Sequence, residues 1–287
     1  MTKLSRIALV AAALLLLPGC LDKPATESLK TADTLYDRIL KSGTIRAAYT
    51  IYPPGCMKDA NSKLVGVFVE TLEKAASDLN LTVDWVEEVG WATQIEGLNT
   101  GRYDMIGSSV WANPKRARNA TLSLSLYYSP LFLYTRSGEK RFDGLPLEKL
   151  DEKTVRFSTV DGGTGEVIVK AQFPRASRVA LPQMSDFSQS FMDVVHNKAD
   201  LVIMEPFQAR KFLASNPGTI KGIDPSRALR TFGNCYMFKT GEIEFQNMLN
   251  VVLTELLSSG YVDELLSKYE TYPGSYFRVA RPYRMSE

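Results

Sequence analysis

A strand-and-helix rhythm occurs twice along the 287-residue chain, and it restricts the fold more than any other feature. In the first pass, Thr44–Tyr49 reads as a strand, and Val69, Leu72, Ala75, Ala76 and Leu79 then recur at helical spacing until Asn80. A second strand is predicted from Leu81 to Val86, a short helix at Ile95 and Leu98 ended by Gly101, and a compact buried strand over Tyr103–Ile106. The second pass runs from strand Val155–Thr159 through a glycine turn, a helix over Glu166–Phe173 and a strand around Val179–Leu181. It then reaches a helix carrying Phe187, Phe191, Val194 and Val195 and closes on strand Asp200–Met204. Alternation of this kind predicts an α/β fold of two lobes, each a mixed, mostly parallel sheet flanked by helices.

Two extended, aromatic-rich segments, Leu126–Thr135 and Leu229–Phe238, bracket the second pass, so the chain is expected to cross between lobes twice. The apolar helix marked by Phe245, Leu249, Val252, Leu253 and Leu256 follows the second crossing and would return to the first lobe. The expected boundaries are residues 32–128 plus 232–287 for lobe 1 and 129–231 for lobe 2.

At the N-terminus, Lys3 and Arg6 precede an uninterrupted apolar run, Ile7–Leu17, which is too short to span a bilayer and reads as a secretory signal over residues 1–19. The run ends in Leu17-Pro18-Gly19-Cys20, which resembles the lipobox at which bacteria acylate a cysteine and cleave before it. Cys20 is then the lipidation site and residues 20–31, polar and containing Pro24, a short tether. The alternative is an uncleaved anchor. Both readings put the folded body on the periplasmic or extracellular face of a membrane.

The net charge of +2 is the difference between 34 basic and 32 acidic residues, and these are interspersed, so no nucleic-acid stripe is expected. With one histidine, His196, and three cysteines, neither a zinc site nor a Ser-His-Asp hydrolase is supported; no metal, no cofactor and a monomer are expected. Setting Cys20 aside leaves Cys56 and Cys235, which in an oxidising compartment read either as a disulfide or as two buried thiols.

In open α/β sheets ligands bind beyond the carboxyl ends of the strands. The residues there are Tyr52 after the first strand, Ser109 and then Arg116 after Tyr103–Ile106, Asp161-Gly162-Gly163-Thr164-Gly165-Glu166 after Val155–Thr159, and Glu205 after Asp200–Met204. An arginine grips a carboxylate through paired hydrogen bonds, and a glycine turn entering a helix offers bare N–H groups to an anion. That turn lacks the Gly-Lys-Ser/Thr ending of a nucleotide-binding loop. A cation and a carboxylate set apart suit a zwitterion, with Tyr52, Trp91 and Trp111 as aromatic cover.

An ordered set of motifs spanning about Ala32 to Tyr269 resembles the type-three extracellular solute-binding proteins that deliver amino acids to ABC importers. The set includes Tyr52-Pro53-Pro54, Gly101-Arg102-Tyr103-Asp104, Pro114-Lys115-Arg116, Ser125-Leu126-Tyr127, Gly163-Thr164-Gly165-Glu166, Asp200-Leu201-Val202 and Gly260-Tyr261. The resemblance implies a type II periplasmic binding protein fold, a hinge within Tyr128–Pro130 and Leu229–Gly233, an ABC permease as partner, and no catalysis. It implies Arg116 for a ligand carboxylate, helped by Thr164 and the backbone around Ser109, Trp111 and Gly165, and Glu205 for an ammonium. The family usually has Asp at the Glu205 position and a small hydroxyl residue at Trp111. These departures widen the expected ligand from a standard amino acid to a modified one or another carboxylate. The glycine turn also resembles that of periplasmic cyclohexadienyl dehydratases, in which Glu166 would be the candidate acid. A third reading is a ligand sensor for a membrane receptor.

Overall fold

The computed structural model describes residues 34–279. The signal run, Cys20 and the tether lie outside the described residues.

The first lobe opens with α1 (Leu35–Ser42), whose start is fixed by a reciprocal capping box between Thr34 and Asp37 and whose end is fixed by left-handed Gly43. There follow β1 (Thr44–Tyr49), the short antiparallel pair β2 (Met57–Lys58) and β3 (Leu64–Val65), α2 (Val67–Asp78), β4 (Thr82–Glu88) and α3 (Gln94–Asn99). Next come β5 (Met105–Trp111), the single turn α4 (Pro114–Ala117) and β6 (Thr121–Leu122). The chain then crosses on β7 (Tyr127–Arg136).

The second lobe contains β8 (Arg156–Val160), α5 (Thr164–Gln172), β9 (Ser177–Leu181), α6 (Ser188–Val195), β10 (Leu201–Met204), α7 (Pro206–Ser215) and β11 (Ile220–Gly222). The return crossing is β12 (Arg230–Phe238), followed by α8 (Ile243–Ser258), α9 (Tyr261–Tyr269) and β13 (Phe277–Arg278).

One hydrogen-bonded path links both lobes in the order β4-β1-β5-β12-β7-β10-β8-β9. Within it β1 is parallel to β4 and β5, and β8 is parallel to β9 and β10, while β7 and β12 run antiparallel to their neighbours. Parallel strands need cover on both faces, and each lobe supplies it. In lobe 1 one face packs Phe68 and Leu72 of α2 with Phe245, Leu249 and Leu253 of α8, while the other packs Leu98, Tyr103, Ile106 and Met237. In lobe 2, Phe157, Ile168 and Phe173 fill one face, and Phe191, Val194 and Phe212 fill the other. The helices after the second crossing therefore pack with α2 on the first-lobe sheet.

Two features differ from the sequence reading. The strand expected over Tyr103–Ile106 runs instead from Met105 to Trp111, because β12 pairs alongside it as far as Asn234 opposite Trp111. Ser108 and Ser109 thus stand within a buried strand and not beyond its end. The crossings also carry a third strand: β13 places Phe277 and Arg278 opposite Tyr128 and Tyr127 of β7, on the segment that β12 pairs from its other side.

Candidate functional site

The lobes meet over a cavity with about 530 Å³ of space, part of it open to solvent. Its lobe 1 wall holds Tyr52, Trp91, Ser109, Trp111 and Arg116, and its lobe 2 wall holds residues of β8, the start of α5, Phe187, Ser190 and the end of β10. Of the eight expected ligand-binding residues, the structure brings seven to this cavity. Glu205 is not among its lining residues.

Local sequence explains where Arg116 sits. Asn113 caps α4 by accepting the Arg116 N–H at 3.0 Å, and Pro114 occupies the first helical position, where its missing N–H costs nothing. The side chain turns back so that Nη1 donates to the Trp111 carbonyl at 2.9 Å and to Thr164 Oγ1 of the other lobe at 3.3 Å. Arg116 is 7% exposed, and no carboxylate among the described residues lies within ion-pair distance of it. Burial pulls its guanidinium down to about 10, so it remains charged at neutral pH. Its carbon centre lies 5.9 Å from the Trp91 ring.

Tyr52 is presented by a tight loop in which its backbone and that of Cys56 exchange hydrogen bonds at 2.8 and 3.0 Å. Its ring meets Trp91, Trp111 and Phe187 edge to face, with centroids 5.8, 5.9 and 5.0 Å away. These rings make one wall largely apolar. Phe187 joins it from the start of α6; the helical spacing that marks Phe187 as apolar also suits a core residue, so sequence alone does not single it out.

At the start of α5 the cap residue is Gly163, which has no side chain to offer, so the first N–H groups of the helix face the cavity wall at Thr164 and Gly165. Gly162 is required by geometry: its φ is +74°, and a Cβ there would lie 2.6 Å from the Ala92 nitrogen of lobe 1. The Ala92 N–H itself donates to Gln183 Oε1 at 3.0 Å, and Gln208 Nε2 to the Pro53 carbonyl at 2.8 Å, so both lobes touch around the cavity.

One expected role, that of Glu205, does not fit the cavity geometry. Glu205 caps α7 ahead of Pro206 but is 0% exposed and lies behind Tyr52, where Oε1 accepts from the Tyr276 hydroxyl at 2.7 Å. Burial pushes its carboxyl up to about 7 against the opposing hydrogen bond of Tyr276, and its Oε2 is buried without a hydrogen-bond partner among the described residues. Ser109 lines the cavity while its Oγ donates to Asn234 Oδ1 at 2.6 Å, so the hydroxyl proton is committed and the expectation for the backbone there is untouched. The disulfide expectation is not met. Cys56 and Cys235 are both free and buried in separate settings, the first beside the Tyr52 loop and the second in β12 with Sγ directed at the Gly233 carbonyl. Burial raises their thiols to about 12 and about 11, which keeps thiolate scarce. Glu166 accepts from the Gly162 N–H and pairs with Arg178 at 2.8 Å and with Lys170. Burial alone would raise its carboxyl, but these partners outweigh burial and hold it below its usual value.

The model of the bacterial extracellular solute-binding proteins, family 3, matches residues 26–272. The chain belongs to this family. Among curated relatives, the cyclohexadienyl dehydratase of Pseudomonas aeruginosa is 29% identical over 196 residues, covering 67% of this chain and 70% of that protein. A Campylobacter jejuni protein named as a probable histidine-binding protein is 25% identical over 211 residues, covering 73% and 78%. Among solved structures, an ancestral amino acid-binding protein described as a precursor of cyclohexadienyl dehydratase matches with TM-score 0.69 at 23% identity, covering 84% of this chain and 100% of that one. A mutant of ArgBP from T. maritima matches with TM-score 0.69 at 22% identity, covering 82% and 99%. These likenesses establish the type II periplasmic binding protein fold. Membership of the family gives a periplasmic or extracellular location and a ligand-binding role, and no helix among the described residues is long and apolar enough to cross a membrane.

Proposed function

We propose that the protein captures a small carboxylate or amino-acid-like zwitterion between its lobes and delivers it to an ABC permease, held near the membrane by acylation at Cys20. The observation that carries this reading is Arg116, a buried cation in the cavity wall without a carboxylate partner among the described residues. An isolated buried charge is costly, and a ligand carboxylate relieves the cost while Thr164 and the first N–H groups of α5 add hydrogen bonds from the opposite lobe. A ligand touched by both lobes favours the closed arrangement over the open one, which gives a permease something to recognise.

The dehydratase relative supports a second, enzymatic reading. Against it stands Glu166, whose carboxyl is held low by Lys170, Gly162 and Arg178 and is a poor proton donor at neutral pH. A thermal-shift screen of amino acids and small carboxylates tests the binding reading: a ligand at one hundred times its dissociation constant adds about 2.7 kcal/mol of stability. Saturable stabilisation without turnover is expected. Release of carbon dioxide from prephenate or arogenate by the purified protein would establish the enzymatic reading instead.

A further inference from the structure

The carboxylate-capturing reading leaves open what stands beside the ligand's carboxylate, and the cavity wall carries information on this point. Among the described residues the cavity has a single charged lining residue, Arg116. The nearest buried carboxylates do not line the cavity: Glu205 accepts from the Tyr276 hydroxyl through Oε1 and keeps Oε2 unpaired off the cavity wall, and Asp193 is engaged by the Ser158 hydroxyl at 2.9 Å and by Lys198. At the mouth, Glu166 is ion-paired and Asp161 is exposed, where solvent screens its pull.

The wall is also rich in donors. Arg116 Nη1 reaches Trp111 and Thr164, and the other guanidinium N–H groups have no hydrogen-bond partner among the described residues. The first turn of α5 adds backbone N–H groups at Thr164 and Gly165 that no intrahelical bond can satisfy. Trp111 Nε1, on a residue lining the cavity, is a buried donor with no acceptor. An indole N–H can only donate. An α-ammonium brings three further donors and no lone pair, so it can satisfy none of these groups, and once the ligand carboxylate has neutralised Arg116 it leaves an unbalanced positive charge in the cavity. A keto or hydroxyl oxygen at the same carbon accepts hydrogen bonds and leaves the cavity neutral. The remaining walls, including Val160, Ile203, Met204 and Phe187, suit an apolar side chain.

We propose that the cleft selects 2-oxo or 2-hydroxy acids with an apolar side chain over the matching α-amino acids. This rests on Arg116 holding a carboxylate. The substituent oxygen beside that carboxylate accepts from Trp111 Nε1 or from the α5 N–H groups, and Glu205 stays behind Tyr52 as an interlobe strut.

Isothermal calorimetry with skeleton-matched probes tests it on the full soluble chain: phenylpyruvate, 3-phenyllactate and L-phenylalanine, then 4-methyl-2-oxopentanoate and L-leucine. The expected result is at least tenfold tighter binding of the deaminated member of a set. Trp111→Phe keeps a ring against Tyr52 and Phe232 but removes the N–H; it is expected to weaken the oxo acid about fivefold more than it weakens the matching amino acid, as loss of one net hydrogen bond made only to the oxo acid does. Tighter binding of the amino acid, abolished by Arg116→Ala, overturns this inference and leaves the carboxylate reading standing. Equal binding of both members also overturns it. Binding that Arg116→Ala does not weaken overturns the carboxylate reading and this inference together.

Discussion

Arg116 and Glu205 occupy corresponding places in the two lobes. Each follows a buried central strand, β5 or β10, each lies at the start of a short or medium helix, and each has a proline close by, Pro114 or Pro206. Both are buried, yet their surroundings are opposite. Arg116 has only neutral partners, a carbonyl and a hydroxyl, and faces the cavity. Glu205 is closed off behind Tyr52 and receives a hydrogen bond from Tyr276, a residue 71 positions further along the chain. A titratable side chain at a strand end thus stays open to the cavity or is sealed off from it according to what a distant segment lays over it.

The largest effect that could break this contrast comes from Arg116→Ala. Removing one partner of a buried ligand–charge contact typically costs 2–5 kcal/mol, so ligand affinity is expected to fall by roughly thirtyfold or more. Unliganded thermal stability should hold or rise slightly, because the lost guanidinium has no carboxylate to leave behind. Calorimetry and thermal unfolding on the same variant check both halves, and a stability loss comparable to the binding loss would make Arg116 a structural residue like Glu205.

The opposite behaviour is expected at Glu205, where protonation is linked to folding. Its carboxyl rises from 4.5 in the unfolded chain to about 7 in the fold, so the folded state binds the proton more tightly. This contribution to stability is fully present below about pH 4.5 and is lost as pH rises through 7. The loss amounts to about 3 kcal/mol at 1.36 kcal/mol per pH unit. Urea denaturation of the protein and of Glu205→Gln across this range measures it: the stability difference between the two should shift toward the Gln variant as pH rises. A difference independent of pH would mean that the carboxyl is not desolvated as the structure places it.

Most of this architecture was legible in the sequence, and the exceptions have a common cause. Hydrophobic spacing located β1, α2, β8, α6 and both crossings to within a few residues, because each buries its own periodic face. Arg116, Thr164, Gly165, Tyr52, Trp91 and Trp111 all reach the cavity, because strand ends and loop motifs place them locally. What spacing did not disclose depends on contacts far apart in sequence. The continuation of β5 to Trp111 needs β12 beside it, the commitment of the Ser109 hydroxyl needs Asn234, and the enclosure of Glu205 needs Tyr276. The free cysteines belong to the same class, since an even count in an oxidising compartment says nothing about whether two sulfurs meet.

Tyr276→Phe sharpens the contrast from the C-terminal side. It keeps the ring packed on Tyr127 and Phe207 while removing the donor to Glu205. Hydrogen bonds to ionised groups are worth about 1.5–3 kcal/mol and neutral ones about 1, so the expected loss is about 2 kcal/mol at pH 8 and about half that at pH 5. Denaturant midpoints at the two pH values check it. A loss that is larger at pH 5 would show that the hydroxyl serves the protonated carboxyl, contrary to the stated direction.

The smallest expected effect falls on the lobe 2 side of the cavity. Thr164 accepts from Arg116 Nη1 at 3.3 Å, but the same nitrogen also donates to the Trp111 carbonyl at a shorter 2.9 Å, so the guanidinium stays in place without the threonine. Thr164→Val keeps the side-chain shape and the backbone N–H at the start of α5 while removing one hydroxyl, a change worth about 1 kcal/mol in affinity, or roughly fivefold. Unliganded stability should move by less than that, because the hydroxyl's partner retains its other acceptor. If Thr164→Val instead weakened binding as much as Arg116→Ala, the anion would be held chiefly from the second lobe. Arg116 would then stand closer to Glu205 in character than the cavity geometry implies.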